Sequence, residues 1–216
     1  MKQLSGLYII TDEYLIDEEN FIQDIEHALQ GGANIVQYRD KSQNQEKKRH
    51  QAHALRELCD QHHKTFIIND DIELARETHA DGVHIGINDA PLSDVREQLG
   101  NDKIIGVSCY NDFSLALTAQ QQGANYVAFG SFYLSSIKPE AKKADTELLQ
   151  KARNQLRIPV CAIGGITSKN AAPLINAGAD MLAVISDIFS CADTKTASNN
   201  ISKQFTAHDH RKIRHK

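Results

Sequence analysis

The stretch that most constrains this chain is VCAIGGIT at 160–167, read with AVISDIF at 183–189. In the first, an apolar run ends in a glycine pair and Thr167-Ser168 opens an amphipathic helix; in the second, an apolar run ends at Ile185-Ser186. A glycine pair at a strand end lets backbone N–H groups approach an anion closely, and a following helix N-terminus favours negative charge. In barrels of eight βα units, phosphate commonly sits in the loops after the last two strands. If these runs are strands 7 and 8, six more must precede them.

They do. LYIIT at 7–11 is a short β-branched apolar run, followed by Phe21, Ile25, Ala28 and Leu29 at helical spacing. Gly31-Gly32 stops that helix, and Ala33 to Tyr38 reads as strand 2. A long polar helix over 46–63 leads to TFIIND as strand 3, and a short helix over 72–78 leads to DGVHIG as strand 4. Pro91 opens the next helix, KIIGVS is strand 5, a helix covers 112–122, and NYVAFGS is strand 6. A helix over 145–156, strand 7, a helix over 170–177 and DMLAVIS as strand 8 complete the set. A weak internal repeat agrees: GGAN (31–34), HAD (79–81), QGAN (122–125) and AGAD (177–180) each end a helix and begin an even-numbered strand. The expected fold is α/β, a single (β/α)8 barrel over 1–207, with a basic, disordered tail over 208–216.

Composition narrows the classes of function. The chain has 216 residues and a formal charge of −4, with no basic stripe and no Trp, which argues against nucleic acid as a partner. The apolar runs are far shorter than the ~20 residues a membrane span needs. The N-terminus lacks the apolar core of a signal peptide. Cys59, Cys109, Cys161 and Cys191 are widely spaced with no CxxC pair, so a reduced, cytoplasmic protein is expected.

In a barrel the C-terminal ends of the strands build the site. Strand 2 ends in Gln37, Arg39 and Lys41, which alternation points the same way; strand 3 ends in Asn69, Asp70 and Asp71, and strand 4 in His84, Gly86 and Asp89. Strand 5 ends at Ser108, and strand 6 leads to Ser135, Ser136 and Lys138. Two cations, Arg39 and Lys41, are expected to face two carboxylates, Asp70 and Asp89. Such a pair of carboxylates suits Mg²⁺, a hard ion that takes one or two carboxylates plus substrate phosphate oxygens. Arg as a bidentate fork and Lys as a point charge would hold a diphosphate beside it. The rim therefore offers a metal-assisted diphosphate site and a separate monophosphate site, which points to a reaction in which diphosphate leaves.

Blander roles fit several of these residues. A single Arg–Asp or Lys–Asp rim pair is as readily a solvated salt bridge. Asp12 and Asp71 read as caps of helices 1 and 3. His84, between Val83 and Ile85, reads as a hydrogen-bonded core histidine, and Cys109 as core or support without a partnering histidine. His208, His210 and His215 read as solvated tail residues.

At these residues the chain resembles the thiamine phosphate synthase family. GLYIITD at 6–12, VQYRDK at 36–41, INDD at 68–71, ADGVHIG at 80–86, GVS at 106–108, AIGGIT at 162–167 and AVIS at 183–186 carry the resemblance in order along nearly the whole chain. It implies a TIM barrel that joins a hydroxymethylpyrimidine diphosphate to a thiazole phosphate, releasing diphosphate. Carried over, Gln37, Arg39, Lys41 and Asn69 would bind the pyrimidine diphosphate, Asp70 and Asp89 would hold Mg²⁺, and Ser108 would contact the pyrimidine. Ser135 and Lys138 fall in the family's substrate-binding loop, and Gly165, Ile185 and Ser186 where the thiazole phosphate is held. Arg39, Lys41, Ser108 and Lys138 are the expected catalytic set. The family reaction is dissociative, with diphosphate departing before the thiazole nitrogen attacks, so no general base is required. Small molecules are the expected partners, and self-association is left open.

Two loops depart from the family pattern. The loop after strand 6 usually reads close to PTxTK or PSxTK and here is LSSIK, so Ile137 stands in place of a threonine. The usual Gln after the strand-4 glycine is Ile87. Two rival readings follow: a thiazole tautomerase on the same fold, which needs a proton-transfer residue and no metal–diphosphate site, and a non-catalytic phosphate-binding barrel.

Overall fold

The structure is a computed structural model and describes residue 2 and residues 4–86, 89–133 and 144–213. Eight parallel strands close into a barrel in sequence order: β1 (Gly6–Ile10), β2 (Ala33–Tyr38), β3 (Thr65–Asn69), β4 (Gly82–Ile85), β5 (Ile104–Tyr110), β6 (Tyr126–Phe129), β7 (Val160–Ile163) and β8 (Met181–Val184). β8 pairs with β1, Met181 beside Gly6, and this closes the ring. Helices α1 (Phe21–Gln30), α2 (Gln45–Gln61), α3 (Ile72–Glu77), α4 (Leu92–Leu99), α5 (Phe113–Gln121), α6 (Thr146–Gln155) and α7 (Ala171–Ala177) alternate with the strands, as the sequence predicts.

Strand alternation sorts the apolar residues into two cores. Tyr8, Ile10, Ile35, Ile67, Tyr126, Cys161 and Met181 fill the barrel interior. The opposite faces, among them Leu7, Val36, Phe66, Val83, Val127 and Leu182, pack beneath the helices. Both faces of the sheet are covered, which is why the strands read as nearly continuous apolar runs.

The repeated phrase at the even strands has a structural cause beyond ending a helix. Asp81 accepts from the Phe66 amide (2.8 Å) while its own amide donates to the Phe66 carbonyl (2.9 Å). Asn125 brackets Ile105 in the same way (2.8 Å and 2.8 Å), and Asp180 brackets Val160 (2.8 Å and 2.9 Å). Each Asx thus ties the start of an even strand to the odd strand before it, at the end of the barrel away from the site. Asn34 departs from the pattern: its amide donates to the Ser5 carbonyl and its oxygen accepts from Lys64.

Two helices come in addition to those expected from the sequence. α8 (Ser186–Phe189) starts directly at the end of β8, and α9 (Thr194–Ile213) packs on α1, α7 and β1. α9 thus includes the first part of the segment expected to be a frayed tail. Its buried residues Ala197 and Ile201, with half-buried Phe205, lie four apart, a thin stripe in an otherwise polar helix. Among the described residues, no helix is long and apolar enough to cross a membrane.

Candidate active site

β2 ends at Tyr38, so Arg39 and Lys41 lie beyond the strand and diverge. Lys41 does face Asp70, its Nζ 2.6 Å from Oδ2. Arg39 does not face Asp70 or Asp89 as expected; its guanidinium lies 3.7 Å from Asp12 and 3.7 Å from Glu13. Thr11 holds the Arg39 backbone, accepting from its amide and donating to its carbonyl. Asp12 therefore belongs to the site and is not the cap of α1; its Oδ1 accepts from the Tyr14 amide in the loop after β1. Asp71 does cap α3, accepting from the Leu74 amide. Glu13 accepts from the Lys41 amide through Oε1, while its Oε2 is buried with no hydrogen-bond partner among the described residues.

Asp70 and Asp89 follow the neighbouring strands β3 and β4. Asn69, the last residue of β3, donates to Asp70 Oδ2 (2.6 Å), and the Asp70 amide donates to the His84 carbonyl. Asp70 has φ +60°, a left-handed conformation that Asp tolerates better than most residues. Asp89 accepts from the Gly86 amide through Oδ2 (2.6 Å). Three carboxylates, Asp12, Glu13 and Asp70, pair with the two cations, and Asp89 follows the next strand, so the described rim is acidic. A diphosphate would meet net repulsion there unless a cation came with it. Among the described residues, no three His, Cys, Asp or Glu side chains are placed to hold a metal. A cation at Asp70 and Asp89 would therefore complete its shell with substrate oxygens and water, which is how Mg²⁺ is ordinarily held.

Beneath the rim, Gln37 and Ser108 project into the barrel and both are hydrogen bonded. Gln37 is buried and its Nε2 donates to Tyr8 Oη (2.7 Å). His84 bonds through Nε2 to Ser108 Oγ (2.9 Å) and through Nδ1 to Tyr126 Oη (2.9 Å), as expected of a core histidine. Burial pushes its pKa down to about 4, so at neutral pH the ring is uncharged. Cys109 is buried, and burial pushes its thiol up to about 12, which fits packing and not a nucleophile.

Across the ring, Gly164 and Gly165 follow β7 with φ +106° and +59°. A Cβ on Gly164 would overlap Ser131, so glycine is required there for close approach as well as for conformation. Asn170 braces the loop, accepting from the Thr167 amide (2.7 Å) and donating to the Gly165 carbonyl (3.0 Å). Ile185 is the N-cap of α8, so the first amides of that helix, at Ser186, open where β8 ends. Gly165, Ile185 and Ser186 thus follow the paired strands β7 and β8, where the Ser168 amide donates to Asp187 (2.9 Å). Ser135, Lys138 and the substituted positions Ile87 and Ile137 lie outside the described residues. Sequence reasoning missed Tyr8, Tyr126, Glu13 and Asn170 as parts of the site. Tyr8 was the legible one: a polar-tipped residue alternating inward with Ile10.

Comparisons with known proteins agree with this geometry. A family model described as thiamine monophosphate synthase matches residues 7–188. The chain is 46% identical to the thiamine-phosphate synthase of Thioalkalivibrio sulfidiphilus, over 94% of this chain and 97% of that one. It is 47% identical to that of Acidithiobacillus ferrooxidans, over 94% of each. The thiamine phosphate pyrophosphorylase of Pyrococcus furiosus superposes with a TM-score of 0.85 at 32% identity, covering 94% of this chain and 96% of that one. With a closed eight-stranded barrel and a family match that runs from β1 into α8, this chain belongs to the thiamine monophosphate synthase family.

Proposed function

We propose that the chain is a thiamine phosphate synthase. It joins 4-amino-2-methyl-5-(diphosphooxymethyl)pyrimidine to 4-methyl-5-(2-phosphoethyl)thiazole, giving thiamine phosphate and diphosphate. The observation that carries this reading is the rim: Lys41 bonded to Asp70, Arg39 paired with Asp12 and Glu13, and Asp89 in the loop after β4. A thiazole phosphate needs one anion cradle; the charged residues after β2, β3 and β4 support a second site, for diphosphate.

Asp70 and Asp89 would hold Mg²⁺, which when bound supplies charge neutralisation to a departing diphosphate. Lys41 and Arg39 stabilise the negative charge that develops as the carbon–oxygen bond to the diphosphate breaks, the kind of term that is commonly the largest in catalysis. Their carboxylate partners hold them in place beforehand, so little reorganisation is needed. Gln37 and Ser108 orient the pyrimidine, and Gly165 with Ser186 orients the thiazole phosphate. The apolar barrel floor keeps water from the reactive carbon. No residue needs to remove a proton, because the attacking thiazole nitrogen carries none. His84 fits this: both its ring nitrogens are already bonded, so it is poorly placed for the proton transfer a tautomerase needs. The free cysteines suit a cytoplasmic enzyme.

The test is diphosphate release on mixing the protein with both substrates, with Mg²⁺ and then with EDTA. Metal-dependent release matched by thiamine phosphate is the expected result. Isomerisation of the thiazole alone would move the chain to the tautomerases, and binding of thiazole phosphate without turnover would leave a binding barrel.

A further inference from the structure

The two side chains expected to touch the pyrimidine, Gln37 and Ser108, are joined through the barrel interior by an unbroken hydrogen-bond string. It runs Gln37 Nε2 to Tyr8 Oη (2.7 Å), Tyr8 Oη to Tyr126 Oη (2.8 Å), Tyr126 Oη to His84 Nδ1 (2.9 Å) and His84 Nε2 to Ser108 Oγ (2.9 Å). Five strands supply one member each. The rings pack as well as bond: Tyr8 meets Tyr126 edge-on at 6.1 Å, and His84 stacks on Tyr126 at 5.5 Å. Gly106, paired with Tyr126 across β5 and β6, is where that ring sits; a Cβ there would overlap it. The barrel therefore leaves room for the string.

Each hydroxyl has one proton and can accept more than one, so the direction of the string is set by leaving no buried proton without an acceptor. Gln37 donates to Tyr8; if Tyr8 accepted from Tyr126 as well, its own buried proton would find no partner in the string, so Tyr8 gives its proton to Tyr126 and Tyr126 gives its own to His84 Nδ1. With Nδ1 accepting from Tyr126, the ring proton of His84 lies on Nε2 and is donated to Ser108 Oγ, which leaves the Ser108 O–H to point outward as a donor. Such chains polarise one another, which strengthens the terminal donor.

Resting on the reading of the site above, we propose that Tyr8, Tyr126 and His84 are positioning residues whose relay makes Ser108 a hydrogen-bond donor. The relay thereby selects a pyrimidine that presents an acceptor ring nitrogen at Ser108. The thiazole phosphate, held on the far side of the ring, is not read by it.

The test has two arms on the full chain. Long-range ¹H–¹⁵N correlation spectra of ¹⁵N-histidine protein, with His84 assigned from His84→Gln, should show the proton on Nε2 in the wild type and a tautomer mixture in Tyr126→Phe. In steady-state assays, Tyr126→Phe should raise KM for the pyrimidine diphosphate about tenfold, the size of one lost hydrogen bond, with KM for the thiazole phosphate unchanged. Tyr8→Phe should act in the same direction and serves if the first variant folds poorly. Combined with Ser108→Ala, Tyr126→Phe should add nothing further. A wild-type proton on Nδ1, a parallel rise in both KM values, or additive effects of Tyr126→Phe and Ser108→Ala would each overturn the relay. The tautomer arm needs no substrate, so absent diphosphate release would count against the assigned reaction while the spectra still decide the relay.

Discussion

Asp70 answers to three groups at once: it pairs with Lys41, accepts from Asn69, and sits in a left-handed turn. Asp70→Asn keeps a side chain suited to that turn and removes the charge. We expect kcat to fall by about a hundredfold or more, the scale of losing one preorganised charge-stabilising group, with thermal stability nearly unchanged. Wild-type activity in that variant, assayed across a Mg²⁺ titration, would remove the metal assignment. Asp70→Ala should abolish turnover too, while the barrel still folds. His84 allows a pH prediction. Burial holds it at about 4 against 6.5 for a free histidine, so between those values the unfolded chain binds more protons than the folded one. Its contribution to stability is complete above about pH 6.5 and is lost as pH falls toward 4. Urea midpoints measured from pH 7 to pH 4 should therefore fall, and His84→Gln should flatten part of that slope; equal slopes in the two proteins would contradict the assignment.

Among the elements, three of the four even strands share a device just before their first residues, where Asp81, Asn125 and Asp180 bracket the preceding odd strand. Asn125 also accepts from Arg96 (2.8 Å), which binds the carbonyls of Gly100, Lys103 and Gly123 and so ties α4 to the two strands that follow. Asn125→Ala leaves the Ile105 amide without that acceptor, and a cost of about 1–3 kcal/mol is expected in urea unfolding. Both KM values should hold steady, because this end of the barrel lies opposite the site. A change in KM without loss of stability would show that the bracket sets the site's geometry as well as the strand register.

For the molecule as a whole, α9 connects closure of the barrel to the anion cradle. Thr194 donates to the Asp24 carbonyl on α1, and Gln204 donates to the Ser168 carbonyl in the loop after β7 (2.8 Å). Gly31 lies so close to the Lys195 carbonyl that a Cβ there would overlap it. Ile201 is fully buried in this contact. Ile201→Ala should cost about 2–5 kcal/mol in urea unfolding, the usual range for a core truncation to Ala. A loss under about 0.5 kcal/mol would mean that α9 lies on the barrel without stabilising it.

The eight strands, their order and the polar residues at their ends were legible in the chain, because apolar period and Gly or Asx punctuation are local properties. The glycine pair after β7 was legible for the same reason, as was the cap at Asp71. Which charges meet was not. Arg39 and Lys41 lie past the last residue of β2, where strand alternation no longer governs direction, and Arg39 turned to Asp12 and Glu13 on the neighbouring loop. α9 escaped notice because its apolar stripe is only one residue wide. The string from Gln37 to Ser108 draws on five strands spread from residue 8 to residue 126, and only closure of the ring brings them within hydrogen-bond reach. Periodicity decides which face a side chain takes; the closed barrel decides what it finds there.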